Sequence, residues 1–186
     1  VVVPCADSES AITTNGMSYH NRASAFANSA LVVPLDVQDY LSQKELTQGA
    51  SEFAFKGLQI QKELEERACQ MGGGSFTFPA QTAQAFLDNR VDKQLPDTSF
   101  QGKLKACNLN ELFDKKTCVA LAESLKNFDR KIKGFIKTGF MIAPETRTSS
   151  AVRIDRDPHT FESLNCSGLF PIGEGAGYAG GIVSSA

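Results

Sequence analysis

An α+β fold is what this sequence predicts, on three observations. Short runs rich in β-branched or small residues open the chain, at Val1–Val3, Ala11–Thr14 and Ser29–Val33, and read as strands. Two longer stretches, 56–71 and 117–133, repeat their apolar residues at helical spacing. The tail, Gly168–Ile182, runs from a short apolar segment into a glycine-rich loop. At 186 residues the chain is long enough for one domain with a real core, or one domain plus part of another.

The strand-like N-terminal region is punctuated by Asp7-Ser8-Glu9-Ser10 and by Asn15-Gly16, both suited to turns. Residues 17–28 are polar and read as loop. Pro34 and Asp36 introduce a more helical region. In the first helix Ile60, Leu64, Ala68 and Met71 form the apolar stripe, the outer face is charged, and Gly72-Gly73-Gly74 ends it. Ser75–Phe78 alternates like a half-buried strand. Pro79 suits the first turn of a second helix running to about Asn89. Residues 90–107 read as irregular, with Pro96-Asp97 as a turn. The next helix carries Leu121, Leu125, Phe128 and Ile132 on one face, with Gly134 placed to cap it. Residues 135–143 read as a buried strand, Val152–Ile154 as another, and Asp155–Pro158 as a turn.

Composition excludes several classes. Apolar residues make up 41% of the chain, which argues against wholesale disorder. Nineteen basic and 21 acidic residues leave a net charge of −2, with no electrostatic footprint for nucleic acid. No apolar run approaches the length of a membrane-spanning helix. Five scattered cysteines without a C-x-x-C pair suggest reduced thiols, hence the cytoplasm or another reducing compartment. The two histidines, His20 and His159, lie at no ligand spacing from a cysteine, so a zinc site is not expected. No G-x-S-x-G elbow is present.

Two motifs could carry chemistry. Glu145–Ser150 packs one guanidinium and several hydroxyls into six positions, able to satisfy a carboxylate, a phosphate or the carbonyl edge of a flavin; composition alone favours an ordinary polar loop. In the tail, Gly175, Gly177 and Gly180 fit G-x-G-x-x-G, a dinucleotide-binding spacing. That fingerprint needs a strand before it, a helix after it and an acidic residue about 20 positions on, and here only six residues follow Gly180. The expectation is a loop that closes a nucleotide site begun elsewhere, in a chain excised from a larger protein. Gly72-Gly73-Gly74 could form an anion nest, but the negative end of the preceding helix points at it, so a helix cap is the better reading.

Glu145-Thr146-Arg147-Thr148-Ser149-Ser150-Ala151-Val152-Arg153-Ile154, with the later Gly168-Leu169-Phe170-Pro171-Ile172-Gly173-Glu174-Gly175-Ala176-Gly177-Tyr178-Ala179-Gly180-Gly181-Ile182, resembles the C-terminal end of a family of FAD-dependent dehydrogenases, the NAD(P)/FAD-dependent oxidoreductases. Their usual pattern is E-T-R-T-S-S-P-V-R-I and then G-L-Y-P-x-G-E-G-A-G-Y-A-G-G-I. Ala151 stands for the proline and Phe170 for the tyrosine. Upstream, Asn15-Gly16-Met17-Ser18, Arg22, Ala27–Ala30, Met71–Gly74 and Pro79-x-Gln81 match as well, so the resemblance covers nearly the whole chain.

The resemblance implies a fragment of a two-domain, glutathione-reductase-like FAD flavoprotein. Residues 1–143 would be the later part of an inserted substrate-side α+β domain. Residues 144–186 would be the returning C-terminal segment, truncated, of the Rossmann-like FAD-binding domain. Gly173 and Glu174 would contact the ribityl-pyrophosphate part of FAD, within a loop that includes Gly175 and Gly177. Gly180, Gly181 and Ile182 would start a helix facing the flavin. Arg147 and Thr148 would lie near the cofactor or substrate cleft. The implied chemistry is hydride or electron transfer through FAD, with NAD(P)H as a possible electron donor and a small-molecule substrate of unknown structure. The implied partner is the missing N-terminal half, without which the chain should bind FAD weakly and be inactive. No nucleic acid, membrane or metal enters this reading, and no catalytic acid or base is nominated. The alternative is a non-catalytic binding or interaction module that retains the inserted domain without a complete flavin site.

Overall fold

The computed structural model describes residues 1–41 and 54–178. The chain is a mixture of helix and sheet, an α+β arrangement. It divides into two compact units: residues 1–34 with 62–146, and residues 35–61 with 147–186.

The first unit holds both sheets. β1 (Val2–Ser8) and β2 (Ala11–Gly16) form an antiparallel hairpin whose register slips between Cys5 and Ser8. The turn chemistry at Glu9-Ser10 acts as expected, whereas Asn15-Gly16 stays within β2. The second sheet has β3 (Thr77–Thr82) in its centre. It runs parallel to β4 (Lys103–Ala106) and antiparallel to β5 (Phe140–Ile142). Around the sheets lie α1 (Lys56–Gly72), whose first turns to Gln61 belong to the other unit, and α3 (Lys115–Lys131), with the short α2 (Ala83–Leu87) and α4 (Phe135–Thr138). Ile12, Ala68, Phe78, Phe86, Leu109, Leu112, Leu121 and Leu125 form one buried cluster.

Local chemistry explains these elements. Asp114 caps α3 by accepting from the Thr117 N–H at 2.9 Å. At the end of α1 the chain turns so tightly that a Cβ on Gly72 would lie 1.8 Å from the Thr77 carbonyl oxygen, so only glycine fits. Gly73 and Gly74 follow at positive φ, and the Gly74 N–H closes back on Cys69 at 2.9 Å. The three glycines therefore act as a helix terminus.

Several sequence expectations are corrected. Pro79 starts no helix: β3 runs through it to Thr82, and the Pro79 carbonyl accepts from the Ala143 N–H at 3.1 Å. The cap is Thr82, held by Asp92 through its N–H at 2.7 Å and its hydroxyl at 2.9 Å, and the helix is only Ala83–Leu87. β4 lies in the stretch expected to be irregular, because its short KLKA alternation carries little apolar signal. Residues 135–143 split into α4 and β5, with Gly134 in the left-handed region ahead of α4. α3 itself ends at an Ile132 cap. Ser29–Val33 alternates as a strand would, and Leu31 and Val33 pack on the core, but it has no ladder partner and is not a strand.

In the second unit, Asp36 caps a single 3₁₀ turn at Val37–Tyr40 through the Gln38 N–H at 2.9 Å. Gly57 at the start of α1 lets the backbone of Ala151 approach: a Cβ there would lie 2.9 Å from the Ala151 carbonyl oxygen. No strand forms at Val152–Ile154 or at 168–172; the described part of 147–178 holds only an isolated bridge between Arg156 and Ser163. The Ile154 N–H is spent on the carbonyl of Ala176 instead of a strand ladder.

Candidate functional site

Residues 150–154 of the first motif and the glycine loop of the second are laid side by side in the second unit. Ser150 Oγ donates to the carbonyl of Gly175 at 3.2 Å, and the Ile154 N–H donates to the carbonyl of Ala176 at 3.2 Å. Tyr178 Oη returns a bond to the carbonyl of Ile154 at 2.7 Å. Gly177, at φ +84°, sits so close that a Cβ would be 2.7 Å from the Val152 carbonyl oxygen. The loop is also closed on itself, with Gly177 N–H to Glu174 O at 2.9 Å and Tyr178 N–H to Gly173 O at 3.1 Å.

Glycine therefore has two different reasons in this loop. Gly173 and Gly177 adopt positive φ and are required by the turn. Gly175 has no positive φ, and a Cβ built on it meets nothing within 4 Å. The fold gives no reason for a glycine there, whereas close approach of a ligand would. Glu174 and Gly175 are exposed, as are Arg147 and Thr148. Gly180, Gly181 and Ile182 lie outside the described residues. Four of the residues that the sequence singled out, acidic, basic, hydroxyl-bearing and small, thus have solvent access.

The outer loop, 155–170, is held by carboxylates. Asp157 accepts from the N–H groups of Thr160 and His159, both at 2.8 Å, and these bonds hold its carboxyl below the usual range. Glu162 accepts from the Gly168 N–H at 2.5 Å and Ser167 Oγ at 3.0 Å, with the same effect.

Sequence reasoning missed Glu65. It is 3% exposed, and Thr146 Oγ1 of the E-T-R-T-S-S motif donates to its Oε1 at 2.5 Å. Thr13 Oγ1 lies 2.9 Å from Thr146 Oγ1, and Thr14 Oγ1 donates to the carbonyl of Pro144 at 2.9 Å. The signal was present: Glu65, Ala68, Cys69 and Gly72 recur at i, i+3, i+4 and i+7 and are the buried face of α1. Reading the stripe from Ile60 and Leu64 put it one residue away. Arg153, Arg156 and Tyr178 were likewise given no role. A surface depression of the first unit, lined by Tyr19, His20, Asn21, Ala23 and Ser24, contains none of the motif residues. Among the described residues no group of three or more His, Cys, Asp or Glu side chains could hold a metal ion.

The family model of the FAD-dependent protein, C-terminal domain-like, matches residues 1–148. A protein of Clostridium beijerinckii (strain ATCC 51743 / NCIMB 8052), described as uncharacterized, is 38% identical over 189 aligned positions. The alignment takes in 100% of this chain and 34% of that protein, so the chain spans about a third of its relative's length. With most of its length inside the family model, the chain belongs to the FAD-dependent protein, C-terminal domain-like family.

Proposed function

We propose that this chain is the C-terminal part of an FAD-dependent oxidoreductase, with residues 1–143 on the substrate side and the segment from 144 on the flavin side. The observation that carries the proposal is Gly175: an exposed loop glycine that the fold itself does not require, beside the exposed carboxylate of Glu174. Family membership supplies the cofactor. FAD carries the electron or hydride transfer; this chain's residues bind and orient it.

In this reading Glu174 accepts hydrogen bonds from ribityl hydroxyls, and Gly173 and Gly175 let the backbone approach the cofactor. Arg147 and Thr148 supply donors toward the cofactor or substrate. Gly180, Gly181 and Ile182 are assigned to the same cofactor on the family resemblance alone. The glutathione-reductase-like layout, the domain limits at 143/144, the N-terminal half as partner and a reducing compartment belong to this proposal. So does NAD(P)H as electron donor, which is tested by following its oxidation in the full-length protein.

The test of the flavin site uses the full-length protein. A hydrogen bond to a charged group is worth about 1.5–3 kcal/mol, so Glu174→Ala should weaken FAD retention roughly ten- to a hundredfold with the fold preserved. Glu63→Ala, exposed on α1, is the control. Equal flavin content in Glu174→Ala and the unaltered protein would remove Glu174 from the site.

A further inference from the structure

Two arginines share one tyrosine ring beside the glycine loop. The guanidinium carbon of Arg156 lies 3.7 Å from the centroid of Tyr178, and that of Arg153 lies 4.5 Å from the same centroid. The ring is tied by its hydroxyl to the carbonyl of Ile154, and the Tyr178 backbone N–H donates to the carbonyl of Gly173. Arg156 is half-buried and serves the structure, since it donates to the carbonyl of Pro171 and also lies 4.9 Å from the ring of Phe161. Arg153 differs. It is exposed, and among the described residues no carboxylate lies within ion-pair distance of either guanidinium. Two nearby carboxylates in sequence, Asp157 and Glu162, are committed to the backbone donors of the outer loop.

Two like charges on one ring repel each other, and the ring's negative face offsets only part of that cost. A guanidinium held over a ring can still use its N–H groups to bind a planar or tetrahedral oxyanion with two parallel bonds. Gly177 packs on Arg153, where a Cβ would lie 3.0 Å from the Arg153 Cα, and Gly175 is open to solvent. We propose that Arg153, oriented by Tyr178 and supported by the charge of Arg156, is a binding site for a phosphate group. The ligand class is a phosphate or diphosphate carried by a nucleotide; the inference rests on the same loop as the flavin reading and is read out separately from it.

Titration calorimetry of the 186-residue chain with inorganic pyrophosphate, at low and at physiological salt, tests this. Saturable one-to-one binding that weakens with salt is expected. Arg153→Ala should weaken it roughly ten- to a hundredfold, with an unchanged far-UV circular dichroism spectrum because the side chain is exposed. Arg153→Lys keeps the charge but loses the fork and should fall between the two. Lys133→Ala, on the other unit, should have no effect. Absence of saturable binding, equal affinity in Arg153→Ala, or an equal loss in Lys133→Ala would each overturn the proposal. Repeating the titration on flavin-loaded full-length protein separates the sources. Loss of pyrophosphate binding there assigns the site to the diphosphate of FAD, and retention assigns it to a second nucleotide. Flavin retention is read separately, so the two proposals can fail independently.

Discussion

Different forces give order within each of the two units. In the first, large apolar side chains are removed from water: Phe78, Phe86, Ile12, Leu109, Leu112 and Leu125 are all fully buried. Even its buried polar groups serve packing, as with Gln81, whose amide bridges the carbonyl of Arg90 and the N–H of Leu109. In the second, several large apolar residues point outward: Phe161, Leu164, Leu169, Phe170 and Ile172 are all exposed. Its order comes from turns, carboxylates on backbone N–H groups and arginines on rings. The lesson is one of division of labour. A hydrophobic core fixes a scaffold, while directional polar bonds set the exact course of a backbone that is open to a ligand.

The largest effect should come from the tightest point of the scaffold. Gly72→Val must push a side chain into the Thr77 carbonyl, and the variant is expected not to fold, as read by loss of cooperative thermal unfolding. Leu125→Ala, at 1% exposed, should cost about 2–5 kcal/mol in denaturant unfolding. The matching truncation in the second unit, Ile172→Ala at 68% exposed, should stay within about 0.5 kcal/mol. Comparable losses in the two would break the contrast between the units.

A smaller effect is expected where polar bonds do the holding. Glu65→Ala leaves the Thr146 hydroxyl without its carboxylate and should cost about 1–3 kcal/mol, with Glu65→Gln recovering part of it. Acidification should then act on the outer loop before the core. Asp157 and Glu162 have folded pKa values below their ordinary 3.8 and 4.5, so both bind protons less tightly when the loop is formed. Their stabilisation is complete above the ordinary values and is lost as pH falls through the lowered ones. Amide exchange in 157–168 should rise severalfold relative to β3 once pH drops below that range. An equal change in both would contradict the assignment.

The cysteines give the mildest probe. Cys5 and Cys166 are exposed, whereas Cys69 and Cys107 are buried and Cys118 is partly covered. Burial pushes the Cys107 and Cys118 thiols up, which lowers their thiolate fraction. Iodoacetamide at mildly alkaline pH should label Cys5 and Cys166 first, with the other three reacting only on unfolding.

The long elements were legible in the sequence because helical periodicity is strong over four turns. The expected ends of α1 and α3 lie within about two residues of those observed. Pro79 misled because proline suits a helix start as well as it suits a strand whose neighbour needs no N–H from it. Ser29–Val33 misled because alternation marks a half-buried extended chain whether or not a partner strand exists. Phe128 and Ile132 belonged to the predicted stripe of α3 yet are exposed, since the core is filled by Leu121 and Leu125. At the candidate site, glycine content and the polar run were visible. The pairing of Ser150–Ile154 with Gly175–Tyr178 was not, because hydrogen bonds between two loops leave no periodic trace.

The central claim is that Gly173–Tyr178, pinned by Ser150–Ile154, presents its backbone to a flavin. Gly175→Val in the full-length protein addresses it most directly, since the fold leaves open space where the new side chain would go. Flavin absorbance per protein and the melting temperature of the flavin-free form should be measured together. The expected result is that flavin content falls at least roughly tenfold while the melting temperature of the flavin-free protein is unchanged. Full flavin content in Gly175→Val would contradict the claim, leaving the loop as a turn that no cofactor approaches.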